Sequence, residues 1–438
     1  MGVIMTDITD QIKAAKTATV SMSVLSTGAK DKALAEMANA LESNRAFIIS
    51  ENKKDLDDVR DTIPKPMYKR MVVDDAKVDE MIKGVRSVMS LADPVGETMS
   101  ALEMDDGLIL YQIRCPVGML GVVFESRPDV VPQIMSLCLK SGNCVAFKGG
   151  SEAHRTIKAL FDVLRNAASA AGIPKDAFVL LESREDFKEI LELDDYIDLL
   201  IPRGSNQFVR YVQENTRIPV LGHAAGICHV YIDSECDREM ALQVAMDSKI
   251  QYPAVCNAVE NILVNSDIAE DFLPKLIGSM KDNGVEVRGD DRVLKIVPDV
   301  NKASEDDWYT EYDDLIIAIK VVDSLEGAID FINSHSSHHT DAIITSNMQK
   351  ASVFAKMVDS ADVFVNASTR FADGYRFGKG AEVGISTNKI HARGPMGMEG
   401  LMIYKYVLIG NGQVVKDYVG RDAKQFTHRK VDGQCPLR

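Results

Sequence analysis

Apolar positions along the chain change their period, and each change marks a new kind of element. Between residues 7 and 100 they recur at helical spacing in stretches such as Lys30–Leu41 and Val78–Leu91. That spacing predicts a mostly helical layer, with IPKPM (Ile63–Met67) as a turn between two helices. Leu102–Arg114 (LEMDDGLILYQIR) then reads as a hairpin, because Asp106-Gly107 is a turn signal and LILYQI is strand-prone. Such a hairpin either projects to pair with another subunit or closes a sheet edge within its own domain.

From Pro116 onward, short apolar runs alternate with amphipathic stretches. Val117–Phe124, Cys144–Lys148, Phe178–Leu181 and Leu199–Ile201 are predicted strands. One helix is expected over Val131–Ser141, and another opens at Gly149-Gly150-Ser151, with Ser151 as N-cap, and runs to about Ala171. Gly222–Asp233 (GHAAGICHVYID) is a glycine-bearing loop that leads into a second alternating region. Its predicted strands are Ile262–Val264, Leu315–Val322, Ala342–Thr345 and Val363–Val365. Polar Asn301–Asp314, which holds the only tryptophan, Trp308, is expected to be a surface connection. The alternation is that of an α/β protein with doubly wound parallel sheets. Such sheets bind ligands beyond the carboxyl ends of their strands, often at helix N-termini. Gly149-Gly150 and Pro202-Arg203-Gly204-Ser205 fit that description, although glycine turns of this kind also occur without a ligand.

Composition narrows the function. The chain has 438 residues, 46% hydrophobic and 26% charged, which suits a soluble globular protein of several folding units. A net charge of -15 argues against a general nucleic-acid or membrane-surface binder, yet leaves room for a small anionic substrate held by local arginines. Seven scattered cysteines without a CxxC pair point to a reducing compartment, so a cytoplasmic location is expected. No apolar run reaches membrane-spanning length, and the first sixteen residues lack a signal-peptide core. Gly2 and Thr6 fit a loose myristoylation pattern, but no second anchor follows.

Three stretches carry candidate chemistry. Tyr252–Val264 (YPAVCNAVENILV) sets Cys256 after a proline-containing turn and just before a buried strand, with helix-like Glu239–Lys249 leading in. A nucleophilic thiolate needs that fixed position and some solvent access, while a buried core cysteine would fit the same local pattern. Val365–Gly400 is long, polar and glycine-rich, with Arg370, Arg376, Arg393, Asp373 and Glu382; it is expected to build a surface for an anionic substrate. The cluster His335, His338 and His339 lacks partners at metal-ligand spacing, so it is read as a polar loop and no metal is expected.

The stretches PVGMLGVVFESRPDVV, LKSGNCVAFKGGSEAHRT, DLLIPRGSNQFVR, GICHVYID, YPAVCNAVENILV and FVNASTRFADGYRFGKGAEVGISTNKIHARGPMGMEGL together resemble the γ-glutamyl phosphate reductases of the aldehyde dehydrogenase superfamily, in order from about Lys13 to Gly410. The resemblance implies an aldehyde-dehydrogenase-like fold: two doubly wound domains plus a small bridging β-hairpin. A cofactor domain would comprise residues 1–100 and 115–229, and a catalytic domain 230–400. Residues 101–114 and 401–420 would bridge subunits, the tail strand near Leu401–Leu408 pairing with the hairpin. The implied reaction is NADPH-dependent reduction of L-glutamyl 5-phosphate to glutamate 5-semialdehyde, the second step of proline synthesis from glutamate, through a thioester on Cys256.

By the same resemblance, Lys148, Gly149, Gly150, Ser151, Arg203, Gly204 and Ser205 would contact the cofactor, a hydroxyl at Ser151 favouring NADP. Arg127, Asn366, Ser368, Thr369 and Arg370 would bind substrate. Relatives that hydrolyse their thioester carry a glutamate in the loop matching Val220–Gly226, which here reads VLGHAAG. A homodimer or larger homo-oligomer and an associated glutamate 5-kinase are the expected partners, with neither nucleic acid nor membrane. The alternatives are an acylating enzyme that uses coenzyme A or another acyl phosphate, and a catalytically silent scaffold.

Overall fold

The computed structural model describes residues 8–223 and 225–437. Gly2 and Thr6 lie outside them. The chain forms two compact units. One runs to Gly204 and adds Tyr211–Val220 and the chain from Gly397 on; the other comprises Ser205–Arg210 and Leu221–Met396.

The first unit opens with five helices, α1 (Ile8–Met22), α2 (Thr27–Ser43), α3 (Arg45–Val59), α4 (Lys65–Met71) and α5 (Asp75–Ser90). The expected turn at Ile63–Met67 is shorter than predicted, because a proline in the first turn of a helix loses no hydrogen bond and α4 begins at Lys65. The apolar stripes Ala33/Leu34/Met37/Leu41 of α2 and Val78/Ile82/Val85 of α5 are buried, and these helices pack on each other. Next come β1 (Thr98–Asp105) and β2 (Leu108–Pro116), a hairpin turning at Asp106-Gly107 with Gly107 in the left-handed region at φ 67°. The chain continues through β3 (Met119–Phe124), α6 (Val130–Ser141), β4 (Cys144–Gly149), α7 (His154–Ala170), β5 (Phe178–Leu181), α8 (Arg184–Ile190), β6 (Leu199–Arg203) and α9 (Asn206–Glu214), whose residues up to Arg210 count with the second unit.

β3 to β6 form a parallel sheet in the order β5-β4-β3-β6. The chain starts in the middle at β3, winds outward to β5, then crosses back to β6 on the other side. Strand order therefore reverses beside β3, and register sets Phe124 level with both Gly149 and Arg203 at the carboxyl edge.

Ser151 does not cap the long helix. It lies exposed in a separate 3-10 turn, Ser151–Ala153, and α7 starts three residues later. The cap comes from α3: buried Asp55 accepts from the Thr156 amide at 2.8 Å, from its hydroxyl at 2.6 Å and from the Arg155 amide at 3.3 Å. A carboxylate supplied from another helix takes the part of a local cap residue.

The second unit follows with β7 (Cys228–Ile232), α10 (Arg238–Ile250), β8 (Val259–Asn265), α11 (Ser266–Asp282), β9 (Glu286–Gly289), α12 (Asp291–Ile296), β10 (Asn301–Lys302), β11 (Ile316–Val322), α13 (Leu325–His335), β12 (Thr340–Ile344), α14 (Met348–Met357), β13 (Asp362–Val365), β14 (Gly384–Ser386) and β15 (Gly394–Met396). Seven strands form one parallel sheet in the order β10-β9-β11-β8-β7-β12-β13, and every residue of β7, β8 and β12 is buried. Near-continuous apolar runs are what a sheet covered on both faces requires. Asn301–Asp314 is more than a surface connection. Trp308 is buried edge-on against Phe331, and the segment opens with edge strand β10.

The chain then returns to the first unit through β16 (Met402–Ile409), which pairs antiparallel with β2 from Ile109 to Pro116, and β17 (Arg429–Lys430), which pairs with β1.

Candidate active site

Cys256 lies three residues before β8, on the short segment between α10 and that strand. Several contacts hold this segment. At its base, Lys249 at the end of α10 donates to Glu260 in β8 at 2.6 Å, and both side chains are fully buried. Burial pushes the Glu260 carboxyl up to about 8, against the pull of Lys249. Above this pair, Asn257 Nδ2 donates to the Ala372 carbonyl at 2.8 Å and Cys228 Sγ donates to the Cys256 carbonyl at 3.3 Å. Gly226 lies so close that a Cβ there would overlap the main chain of Cys256. The result is a half-buried thiol on a fixed backbone.

Of the other cysteines, Cys138, Cys144, Cys228 and Cys435 are buried, while Cys115 and Cys236 are partly exposed, as Cys256 is. Burial pushes the thiols of Cys115, Cys138, Cys144, Cys228 and Cys236 upward, Cys144 to about 12, so these remain protonated.

The loop after β13 packs onto the same segment. Ser368 caps the short turn Thr369–Phe371 by accepting from the Arg370 amide, and Ser248 of α10 hydrogen-bonds both the Ser368 hydroxyl and the Thr369 amide, at 3.2 Å each. Arg370 is buried and donates from Nε to Gln251 at 2.9 Å. Burial and the charge of Arg376 lower its guanidinium pKa, while the Cys256 sulfur acts in the opposite sense. Arg370 is thus within electrostatic reach of Cys256. Thr369 Oγ1 is buried without a hydrogen-bond partner. Asn366, at φ 55°, clamps Thr345 from both sides: its Oδ1 accepts from the Thr345 amide and its Nδ2 donates to the Thr345 carbonyl. Glu382 and Arg393 brace the rest of the loop, through the Gly374 amide and Asp359.

Two histidines complete the surroundings of Cys256, and neither is expected there from the sequence. His339 is fully buried immediately before β12, so the expectation of a polar loop fails for it. His223 belongs to the VLGHAAG loop. One ligating atom each from His223, Cys256 and His339 lie within 4.8 Å of one another, and the two rings meet edge to face at 4.9 Å. The histidines come from different loops, so sequence spacing could not have paired them. His338 and His335 serve locally, their Nδ1 atoms donating to the carbonyls of Asp359 and Phe331.

Of the predicted cofactor residues, Lys148, Gly149 and Arg203 lie at the carboxyl edge of the first unit's sheet. A Cβ at Gly149 would overlap Ile157 of α7 and crowd Phe124, so glycine lets the helix close onto the strand ends. Lys148 Nζ donates to the Gly149 carbonyl at 2.6 Å. Glu152 turns inward: one carboxylate oxygen accepts from the amide and hydroxyl of Ser126, both at 2.7 Å, and so holds that residue at φ 48°. Arg127 follows in the same turn, its carbonyl accepting from Val130. Arg203 ends β6, Gly204 follows, and the Ser205 carbonyl accepts from Val209 in the first turn of α9.

Comparison with known proteins bears on the fold and the family. Residues 5–312 match the model of the aldehyde dehydrogenase family. Gamma-glutamyl phosphate reductase of Methanosarcina mazei is 54% identical over 437 residues, covering 97% of this chain and 98% of that protein. The same enzyme of Pelotomaculum thermopropionicum is 51% identical, with coverages of 97% and 98%. A crystal structure of gamma-glutamyl phosphate reductase from Thermotoga maritima superposes with a TM-score of 0.91 at 39% identity, covering 92% of this chain and 99% of that one. On fold and sequence together, the chain belongs to the aldehyde dehydrogenase family, among the gamma-glutamyl phosphate reductases.

Proposed function

We propose that Cys256 is the nucleophile with which this chain carries out its family's reaction, reduction of L-glutamyl 5-phosphate to L-glutamate 5-semialdehyde with release of phosphate, the second step of proline biosynthesis. The observation that supports this most is a half-buried thiol locked in place by Gly226, Asn257 and Cys228 within electrostatic reach of a buried arginine. The Cys256 thiolate attacks the acyl carbon, the new S–C bond replaces the C–O bond to phosphate, and phosphate departs with that electron pair. An acyl phosphate already has a good leaving group, so no acid is needed for this step. The positive charge of Arg370 favours the thiolate and offers a partner for a substrate carboxylate. The partnerless Thr369 hydroxyl and the Ser368 hydroxyl are the further substrate groups of this reading, with Asn366 as a brace. The loop at 220–226 carries His223, and no carboxylate, where a hydrolytic relative has its glutamate.

A nicotinamide cofactor belongs to this family's chemistry, and when bound it supplies hydride to the acyl carbon. We assign its binding to Lys148, Gly149, Gly150, Ser151, Arg203, Gly204 and Ser205. The residues fit: the close glycine turn sits where strand order reverses, beside Arg203 at the next strand end. The preference for NADPH is supported by Glu152, whose carboxylate is engaged with Ser126, and by the hydroxyl at Ser151, which leaves room for a 2′-phosphate. Because α7 is already capped by Asp55, the β6–α9 turn is the better source of backbone donors for the pyrophosphate.

The same reading includes a homodimer through the edge strand β16, whose Ile403, Tyr404, Tyr406 and Leu408 are exposed, in a cytoplasmic enzyme that takes its unstable substrate from a glutamate kinase. Among the described residues, no helix is long and apolar enough to cross a membrane.

The test runs the reaction backwards, as reduction of NADP+ by glutamate 5-semialdehyde. Activity that requires phosphate and disappears in Cys256→Ser is expected. Activity that needs coenzyme A instead of phosphate, or that survives in the variant, overturns the assignment.

A further inference from the structure

We infer that His223, Cys256 and His339 form a three-ligand site for a soft divalent cation of the zinc class, whose binding occupies the nucleophile. The three side chains offer two imidazole nitrogens and one sulfur, with ligating atoms within 4.8 Å of one another. Thiolate and imidazole select zinc-like ions over magnesium or calcium, which take oxygen ligands.

The orientation of each ring supports the assignment. His223 Nδ1 lies 2.9 Å from the Ile385 carbonyl, which only accepts, so Nδ1 carries the hydrogen and the neutral ring's lone pair is on Nε2. His339 Nδ1 lies 2.8 Å from Thr340 Oγ1, and that hydroxyl donates onward to Asp362. Nδ1 of His339 is therefore also a donor, and its lone pair is likewise on Nε2. That Nε2 is fully buried and has no hydrogen-bond partner. A buried acceptor without a donor is costly to leave, and a cation removes the cost. Histidines anchored through one ring nitrogen with the other presented inward are the usual ligands of a protein-bound metal.

The fit requires a small adjustment. Tetrahedral zinc, with bonds of about 2.0 Å to nitrogen and 2.3 Å to sulfur, sets donor atoms roughly 3.3–3.6 Å apart. Closing the triangle by about an ångström falls to Cys256 and His223, which are partly exposed, while His339 stays fixed. The same partial exposure leaves the fourth position open to solvent. With the metal bound, the sulfur lone pair that would attack an acyl carbon is shared with it.

The experiment is titration of the whole chain with cobalt(II), followed by displacement with zinc(II). Cobalt reports thiolate ligation by a near-ultraviolet charge-transfer band and tetrahedral geometry by its visible bands, so the readout does not depend on enzymatic activity. The expected result is one ion per chain, a charge-transfer band that is absent in Cys256→Ser, and affinity lowered at least about tenfold in His223→Asn and in His339→Asn. Cys236→Ser, remote from the cluster, should bind as the parent does. His339→Gln serves if His339→Asn loses its native circular dichroism. Absence of the band in the parent chain, or a band of undiminished affinity in folded variants of either histidine, overturns the site. A metal-binding chain without reductase activity would refute the proposed function and leave this site standing.

Discussion

The two parallel sheets present their candidate sites at opposite ends of their strands. In the first unit, Lys148, Gly149 and Arg203 lie at the carboxyl edge, where helices begin and backbone N–H groups point outward. In the second, Gly226, Cys256 and His339 precede β7, β8 and β12, at the amino edge. Helices end on that side, so the backbone offers carbonyl oxygens, which are hostile to an anion. A phosphate-bearing cofactor can be held at the first edge largely by main chain. A thiolate at the second edge must rely on side-chain charge and mechanical restraint, which is what Arg370, the Lys249–Glu260 pair and the Gly226 contact supply.

The contrast can be tested first through restraint. Lys249→Ala strands a fully buried Glu260 beneath the Cys256 segment, and stability should fall by about 3–5 kcal/mol in denaturant titrations. A loss below about 1 kcal/mol would mean that the clamp carries no weight. Next come paired glycine substitutions. Gly226→Ala displaces the Cys256 main chain, so kcat should drop by about 10²-fold with the fold retained by circular dichroism. Gly149→Ala moves α7 off the strand ends instead, and should raise the KM for the nicotinamide cofactor more than it lowers kcat. If both substitutions altered the same constant, the division of labour between the two edges would be wrong.

A smaller effect is expected from Asp55→Ala. Removing this cap orphans the Thr156 amide and hydroxyl and should cost about 1–3 kcal/mol of stability, read from the thermal midpoint. Asp362 gives the mildest test. Burial raises its carboxyl from 3.8 to about 6. A group that binds its proton more tightly when folded stabilises fully below 3.8, and that contribution is lost as pH rises through about 6. Asp362→Asn, which keeps the neutral form at all pH, should therefore flatten the stability profile across that window and gain on the order of 1 kcal/mol relative to the parent at neutral pH. A parallel pair of profiles would count against it.

Much of the fold was legible because burial on both faces leaves long apolar runs: Phe178–Leu181 is β5 itself, and the other predicted strands fall within or beside observed ones. The Cys256 segment stood out for the same reason, set between a helix and a fully buried strand. Ser151 misled because its local cap chemistry is replaced by Asp55, roughly a hundred residues earlier in the chain. Trp308 misled because its polar neighbours hide the packing partner, Phe331. His223 and His339 were missed because the parallel sheet, rather than sequence spacing, brings their loops to Cys256.

Strand β16 has a consequence in time. Asn143 Nδ2 donates to the carbonyl of Leu401, 258 residues later, and β2 gains its second neighbour only from Met402–Ile409. During synthesis the whole second unit must leave the ribosome before this sheet can be finished. Closing a loop of that length adds only a few kcal/mol of entropy if the intervening chain is flexible, and less once that chain has folded into a compact body with its ends tethered. The nascent first unit therefore waits with one edge of β2 uncovered, and a ribosome that stalls before Met402 leaves behind a chain with an open strand to offer its neighbours.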